Sequence, residues 1–253
     1  MTDAESSTGL SATNPSIQRL RRLQGRRSAR RETGTFVVEG TVLIGEALAA
    51  GWDVRGQYHA PGVDPVPGTR ASLLQPGVAE RISDTDTPTG LLAEVAMATA
   101  PISVLTTLGF VVVAAELADP GNLGTILRSA EAAGAGAVVV TPGTVDVFNP
   151  KVVRASAGAL FHIPVVEAVL QDVRSAGLRL VGTSSHHGIE HDRFDWTGRL
   201  ALIAGNEAHG LADDAPVDAW VRIAHAGRAE SLNVAMATTI LAFAALAARR
   251  PNE

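Results

Sequence analysis

Between residues 110 and 223 the chain repeatedly sets a short, unbroken aliphatic run ahead of a helical stretch. Phe110–Ala115 (Phe-Val-Val-Val-Ala-Ala) and Ala137–Thr141 show no polar alternation. A strand of that kind must be covered on both faces. Further runs fall at Ile163–Val166, Leu178–Gly182, Leu200–Ala204 and Trp220–Ile223. Helices are expected at Asn122–Ala133, Pro150–Leu160, Val169–Ala176 and Ser231–Arg249. This alternation predicts an α/β fold with a mostly parallel sheet and right-handed crossovers. Leu232–Ala248 carries no charge over 17 residues, the lower limit for a membrane span. It is rich in alanine and holds Asn233, Thr238 and Thr239. A helix of small residues packed on another helix or across a subunit seam is therefore expected, and no membrane partner.

The first hundred residues read differently. Residues 1–15 are small and polar, as in a disordered tail. A basic helix is expected from Ser16 to about Arg31, then a strand at Phe36–Glu39, a helix at Thr41–Ala50 and a strand at Val54–His59. Pro and Gly crowd residues 60–70 into a loop. The expected organisation is a tail (1–15), a small α/β domain (16–100), a linker (101–109) and a second α/β domain (110–253). Charge follows the same division. Residues 1–31 hold seven arginines against Asp3 and Glu5, whereas the remainder carries 14 basic and 24 acidic groups. Arginine supplies all but one of the basic side chains; Lys151 is the exception. Guanidinium suits bidentate contact with phosphate, so an anionic partner such as RNA is indicated for the N-terminal segment.

Several chemistries are excluded. The chain has no cysteine, which removes disulfides, thiolate zinc sites and thiol catalysis. There is no Walker-type phosphate loop, and no Gly-x-Gly-x-x-Gly follows the strand at 110–115. Instead Asp119-Pro120-Gly121-Asn122-Leu123-Gly124 turns into a helix, with Asn122 near the N-cap. Gly182, Gly205 and Gly210 fall in loops at carboxyl ends of strands, the edge where open α/β sheets bind ligands. His186, His187 and His191 cluster with Glu190 and Asp192 in what reads as an exposed loop, and no metal site is expected there. No charged start followed by an apolar run is visible, so a cytoplasmic location is expected.

Three segments carry the functional signal: Asn122-Leu-Gly-Thr-Ile-Leu-Arg128-Ser-Ala-Glu-Ala-Ala-Gly134, Leu202-Ile-Ala-Gly205-Asn206-Glu207-Ala-His-Gly210-Leu211, and Ile223-Ala-His-Ala-Gly227-Arg-Ala-Glu-Ser231-Leu232-Asn233. In order and spacing they resemble the three motifs of the SpoU/TrmH family of RNA ribose 2′-O-methyltransferases, of the SPOUT class. The resemblance spans about residues 108–250. Phe36-Val-Val-Glu39-Gly40 followed by a helix is similar to the ribosomal-protein-like RNA-binding domain that many members carry, including the thiopeptide-resistance and 23S rRNA enzymes. One departure is Ile223-Ala224-His225, where the family commonly has Ile-Pro-Met. The resemblance implies a trefoil-knotted sheet, a homodimer, S-adenosylmethionine as methyl donor, structured RNA (rRNA rather than tRNA) as substrate, and no metal.

It also implies roles for single residues, each with a plainer alternative. Thr183, Gly205, Ile223 and Leu232 would line the donor pocket, although a strand-end residue is usually structural. Arg128 would meet the target phosphate and 2′-oxygen, or else pair with Glu131 on the helix surface. A guanidinium stays protonated, so Arg128 stabilises developing negative charge rather than acting as base. A phosphate oxygen or Glu207 would take the proton, and Glu207 would otherwise orient Arg128 or the donor. Ser231 and Asn233 would lie beside the reacting ribose; Ser231 also reads as an N-cap, and Asn233 as a buried amide one turn inside the helix. Asn122 would hold the Arg128 loop in shape. RNA contacts are expected from Arg19, Arg22, Arg26, Arg27, Arg30 and Arg154. The competing readings are an idle RNA-binding or ribosome-assembly protein and a small-molecule enzyme.

Overall fold

The computed structural model describes residues 9–212 and 214–250, which fall into two units: one runs to Ala98 and takes in Phe148–Arg154, the other comprises Thr99–Val147 and the chain from Ala155 onward. In the first unit, α1 (Pro15–Gly25) opens on Asn14, whose side chain accepts from the Ser16 N–H, and buries Ile17, Leu20 and Leu23 on one stripe. The expected single basic helix is in fact two. Arg26 is extended (φ −131°), and α2 (Arg27–Thr33) begins after it. The break has a cause: the Arg30 guanidinium turns inward and donates to the carbonyls of Leu23 (2.6 Å) and Gln24 (3.3 Å), satisfying the end of α1. β1 (Thr35–Glu39), α3 (Thr41–Ala49), β2 (Val54–His59), β3 (Ala71–Leu73), α4 (Val78–Ile82) and β4 (Leu91–Ala96) complete the unit, with a sheet ordered β1-β4-β2-β3. Residues 1–8 of the expected tail lie outside the described residues. Residues 9–14 are not a tail: Leu10 donates to the Leu73 carbonyl (2.8 Å) and accepts from the Gln75 N–H (3.0 Å). Phe148 packs on Phe36 with ring centroids 4.9 Å apart, which ties a segment expected in the second domain to the first unit.

The second unit is built on β5 (Phe110–Ala114), α5 (Pro120–Ala132), β6 (Val138–Val140), α6 (Pro150–Ala155, chiefly counted with the first unit), β7 (Val165–Glu167), α7 (Leu170–Ser175), β8 (Arg179–Thr183), β9 (Ile189–Glu190), β10 (Leu200–Ala204), β11 (Ala219–Arg222) and α8 (Val234–Arg249). The seven strands form one sheet, β7-β6-β5-β10-β8-β11-β9, and every pairing is parallel. β10 enters between β5 and β8, and all five of its residues are buried. The unbroken Val/Ala/Leu runs are thus the strands covered on both faces. The expected linker 101–109 is a packed 3-10 turn, Ile102–Thr107, with Leu105 fully buried in the core of this unit. The expected helix at 150–160 stops at Ala155, because Ala157 (φ 51°) and Gly158 (φ 98°) are left-handed. The histidine segment expected to be an exposed loop instead holds a strand, β9, which pairs with β11.

Candidate active site

A cleft of about 510 Å³ opens where β8, β10 and β11 end, at the carboxyl edge of the sheet. It gathers Thr183, Gly205, Glu207, Ile223, Ser231 and Leu232 from stretches far apart in sequence. Gly205 is obligatory there: a Cβ would come within 2.5 Å of the Gly210 backbone, because the loop folds back on itself with paired hydrogen bonds between Asn206 and Gly210. Asn206 braces that loop. Its Oδ1 accepts from the Ala208 N–H (2.9 Å), and its Nδ2 donates to the carbonyl of Glu116 (2.8 Å). Glu116 itself has φ 56°, an uncommon conformation for a residue with a side chain, and its N–H is held by Thr141 Oγ1 at 3.1 Å.

Glu207 is the hub. One carboxylate oxygen accepts from the Ala118 N–H (3.0 Å); the other accepts from the Asp119 N–H (2.9 Å) and from Asn122 Nδ2 (3.1 Å). Burial pushes its pKa up, but the hydrogen bonds from Ala118, Asn122 and Asp119 outweigh that and hold it below the ordinary value. A carboxylate only accepts, so Asn122 must turn its NH2 to Glu207 and its oxygen outward. That oxygen accepts from Asn233 Nδ2 (3.0 Å), and Asn233 Oδ1 is left to accept from the N–H groups of Ala235 (2.9 Å) and Met236 (3.2 Å). One ionised group thereby fixes two amide orientations and the start of α8.

Several expected placements change. The N-cap of α5 is Asp119, which accepts from the Asn122 N–H at 2.8 Å; Asn122 stands in the first turn. Asn233, not Ser231, caps α8, so Asn233 is an exposed capping residue and not a buried amide. Glu207 spends both oxygens on the α5 start and does not touch Arg128. Arg128 is exposed, its guanidinium makes no hydrogen bond or ion pair with the described residues, Glu131 included, and it is not among the residues lining the cleft.

His187, Trp220 and His225 also line the cleft, a placement not assigned to them from the sequence. His187 packs edge-on against Trp220 (4.7 Å between centroids) and shares a hydrogen bond with Ser184 Oγ (3.0 Å) at the cleft wall. His225 lines the cleft with a buried Nε2 that has no partner among the described residues. The only signal for it was the unusual residue after Ile223-Ala224. A cleft of this size with mixed polar and apolar walls, a glycine-tight turn and an orphaned buried nitrogen fits a nucleoside-sized ligand. Among the described residues no group of three His, Cys, Asp or Glu could hold a metal ion.

The expected RNA contacts divide. Arg19 is tied to Glu94 (2.7 Å), whose hydrogen bond raises its pKa, and Arg154 to Asp84 (3.3 Å). Arg30, 3% exposed, is a structural group and cannot reach a ligand. Arg22, Arg26 and Arg27 are exposed.

Comparison with known proteins agrees with this geometry. Residues 109–243 match the SpoU rRNA Methylase family, and residues 14–93 the MRM3-like substrate binding domain. The chain is 33% identical to the 23S rRNA guanosine 2′-O-methyltransferase RlmP of Bacillus subtilis, covering 92% of this chain and 96% of that one. It is 31% identical to a 23S rRNA uridine 2′-O-methyltransferase of Streptomyces viridochromogenes, covering 95% and 92%. Among solved structures it resembles the SpoU methyltransferase AviRb of Streptomyces viridochromogenes in complex with AdoMet (TM-score 0.84, 31% identity, 93% and 98% covered). It also resembles an AdoMet-bound rRNA methyltransferase of Sinorhizobium meliloti (TM-score 0.83, 31% identity, 94% and 97% covered).

Proposed function

The chain belongs to the SpoU family of rRNA methylases, and from that premise we propose that it transfers a methyl group from S-adenosylmethionine to a ribose 2′-hydroxyl of structured rRNA. The observation that carries the reading is the cleft at the ends of β8, β10 and β11, whose wall residue Glu207 is tied through Asn122 to the start of α8. Thr183, Gly205, Ile223 and Leu232 line it and would hold the donor, with His225 Nε2 as a further polar contact. When bound, S-adenosylmethionine supplies an electrophilic methyl on a sulfonium. The protein supplies orientation and electrostatics.

Glu207 is a poor base: its pKa is held down and its oxygens already accept three hydrogen bonds. It is a positioning residue for Asn122 and Asn233. Arg128, permanently charged and unpaired among the described residues, steadies the ribose oxygen and an adjacent phosphate as the O–H is lost. The proton then passes to a phosphate oxygen of the RNA. In that step the ribose O–C bond forms as the donor's S–C bond breaks.

Two finer features complete the reading. Met236 (62% exposed), Ile240 and Phe243 (44%) form an apolar stripe on α8 at i, i+4 and i+7, which supports a homodimer joined through that helix. The entry of β10 between β5 and β8 supports the trefoil knot of this class, and the first unit supports the ribosomal-protein-like RNA-binding domain. Arg22, Arg26, Arg27 and, more weakly placed, Arg19 and Arg154 face RNA; the enzyme works in the cytoplasm. The test is calorimetry with S-adenosylmethionine together with tritiated methyl transfer to rRNA and tRNA in parallel. One donor site per protomer and label in rRNA are expected. Donor binding with no label in either RNA would favour the idle RNA-binding protein.

A further inference from the structure

The seven N-terminal arginines do not make one basic face. Arg19 and Arg30 are consumed inside the first unit, as described. Arg21, Arg22 and Arg26 stand exposed, and none of their guanidiniums makes a hydrogen bond or ion pair with the described residues. These three line a groove of about 840 Å³ together with Arg81, which arrives from α4 and is likewise exposed and unpaired. Nothing in the sequence pattern associates Arg81 with the N-terminal cluster. The groove floor is apolar, formed by the buried Ile17 and Ile82; Gln18 and Thr13 add neutral polar groups, and no carboxylate is among its lining residues.

Four guanidiniums gathered with no counter-charge among the described lining residues repel one another in the free protein, and an anion relieves that. Their backbones are not mobile decoration. α1 is fixed by Ile17, Leu20 and Leu23, and α4 by Val78, Ala79 and Ile82, all in one hydrophobic cluster. Guanidinium forks match phosphate oxygens in bidentate fashion. The apolar floor offers little with which to read base edges, so the contact is with the backbone and is independent of sequence.

The geometry points to this groove as the seat of the RNA phosphodiester backbone, with Arg21, Arg22, Arg26 and Arg81 as its phosphate ligands. This rests on the RNA reading above, and the test separates the two. The full chain is titrated with a 23S rRNA transcript by fluorescence anisotropy at several salt concentrations. The variants are Arg81→Gln, the quadruple Arg21→Gln/Arg22→Gln/Arg26→Gln/Arg81→Gln, and Arg55→Gln as a control outside the groove. Each phosphate contact contributes about 0.7–0.9 to the slope of log affinity against log salt. Arg81→Gln is expected to lower the slope by about one and the quadruple variant by roughly three, with Arg55→Gln unchanged. Calorimetry with S-adenosylmethionine is expected to give wild-type affinity for all of them. Inorganic phosphate, matched for ionic strength with chloride, is expected not to displace the RNA; specific displacement would make this a free-phosphate site and overturn the inference. An unaltered slope in a protein that still binds and methylates RNA overturns the groove alone. Loss of donor affinity in the variants would show that these arginines act through the fold, and also overturns it. A wild-type chain that neither binds nor methylates RNA removes the RNA reading, and the groove assignment with it.

Discussion

Glu207→Gln is the most informative single substitution in the second unit. The carboxylate accepts from Ala118, Asp119 and Asn122, and an amide side chain has only one accepting oxygen. If that oxygen keeps Asp119 and Asn122, the new NH2 faces the Ala118 N–H, donor against donor. One hydrogen bond is lost and two fall from charge-assisted to neutral. Charged hydrogen bonds contribute about 1.5–3 kcal/mol and neutral ones about 0.5–1.5. Loss of an anion at the start of α5 adds about 0.3–1 kcal/mol. The side chain is largely exposed, so solvent screening brings the total to roughly 2 kcal/mol. Native-state hydrogen exchange at the Ala118 and Asp119 amides measures this locally and does not require two-state unfolding of a two-unit chain. At neutral pH both amides should open more readily by about thirtyfold, the equivalent of about 2 kcal/mol. The pH dependence has a definite sign. The folded pKa of Glu207 is depressed, so its stabilisation is present above the ordinary glutamate pKa of about 4.3 and is lost as pH falls through the folded value. The gap between wild type and variant should therefore close in acid. Equal exchange at pH 7, or a gap that persists unchanged well below pH 4, would refute the hub role.

Arg128→Ala should lower methyl transfer by roughly a hundredfold or more while S-adenosylmethionine affinity by calorimetry stays near wild type, since Arg128 does not line the cleft; Arg128→Lys should recover only part of the rate. Glu116→Gly should unfold within about 0.5 kcal/mol of wild type in denaturant, whereas the β-branched Glu116→Val should lose about 2 kcal/mol at the same left-handed position. Phe243→Asp with Met236→Asp should convert a dimer to a monomer by light scattering without loss of helical circular dichroism, because both side chains are exposed on α8. His225→Leu should weaken donor binding by a few-fold, and His225→Gln should restore it if the buried Nε2 is a donor contact.

What the sequence made legible follows the range of the interactions. Phe110–Ala114 and Leu200–Ala204 were readable because an uninterrupted aliphatic run leaves a strand no solvent face. That β10 slots between β5 and β8 was not, since strand order is set by pairing across the whole unit. Thr183, Gly205, Glu207, Ile223, Ser231 and Leu232 do meet at one cleft, and only the family resemblance singled them out. At the ends of α5 and α8 the sequence misled over the caps. Ser231 and Asn122 both have side chains suited to an N-cap, and only the hydrogen bonds of Asp119 and Asn233 show which residues fill the role. The arginines illustrate the same limit. Seven look equivalent in a string, yet Arg19 is paired by a glutamate that lies 75 residues away, and Arg30 ends the helix before it. Arg81 joined the groove from outside the cluster altogether. Ile17, Leu20 and Leu23 also show that residues 16–31 cannot be removed as a detachable basic arm, because they form core.

Presentation of a methyl donor to a sugar oxygen by the cleft at the ends of β8, β10 and β11 can be read out by incubating the protein with 23S rRNA and methyl-tritiated S-adenosylmethionine, digesting the RNA to nucleosides and locating the label. Tritium is expected in a 2′-O-methyl nucleoside, and none in the Arg128→Ala reaction. Tritium on a nucleobase, or transfer undiminished in that variant, would contradict it.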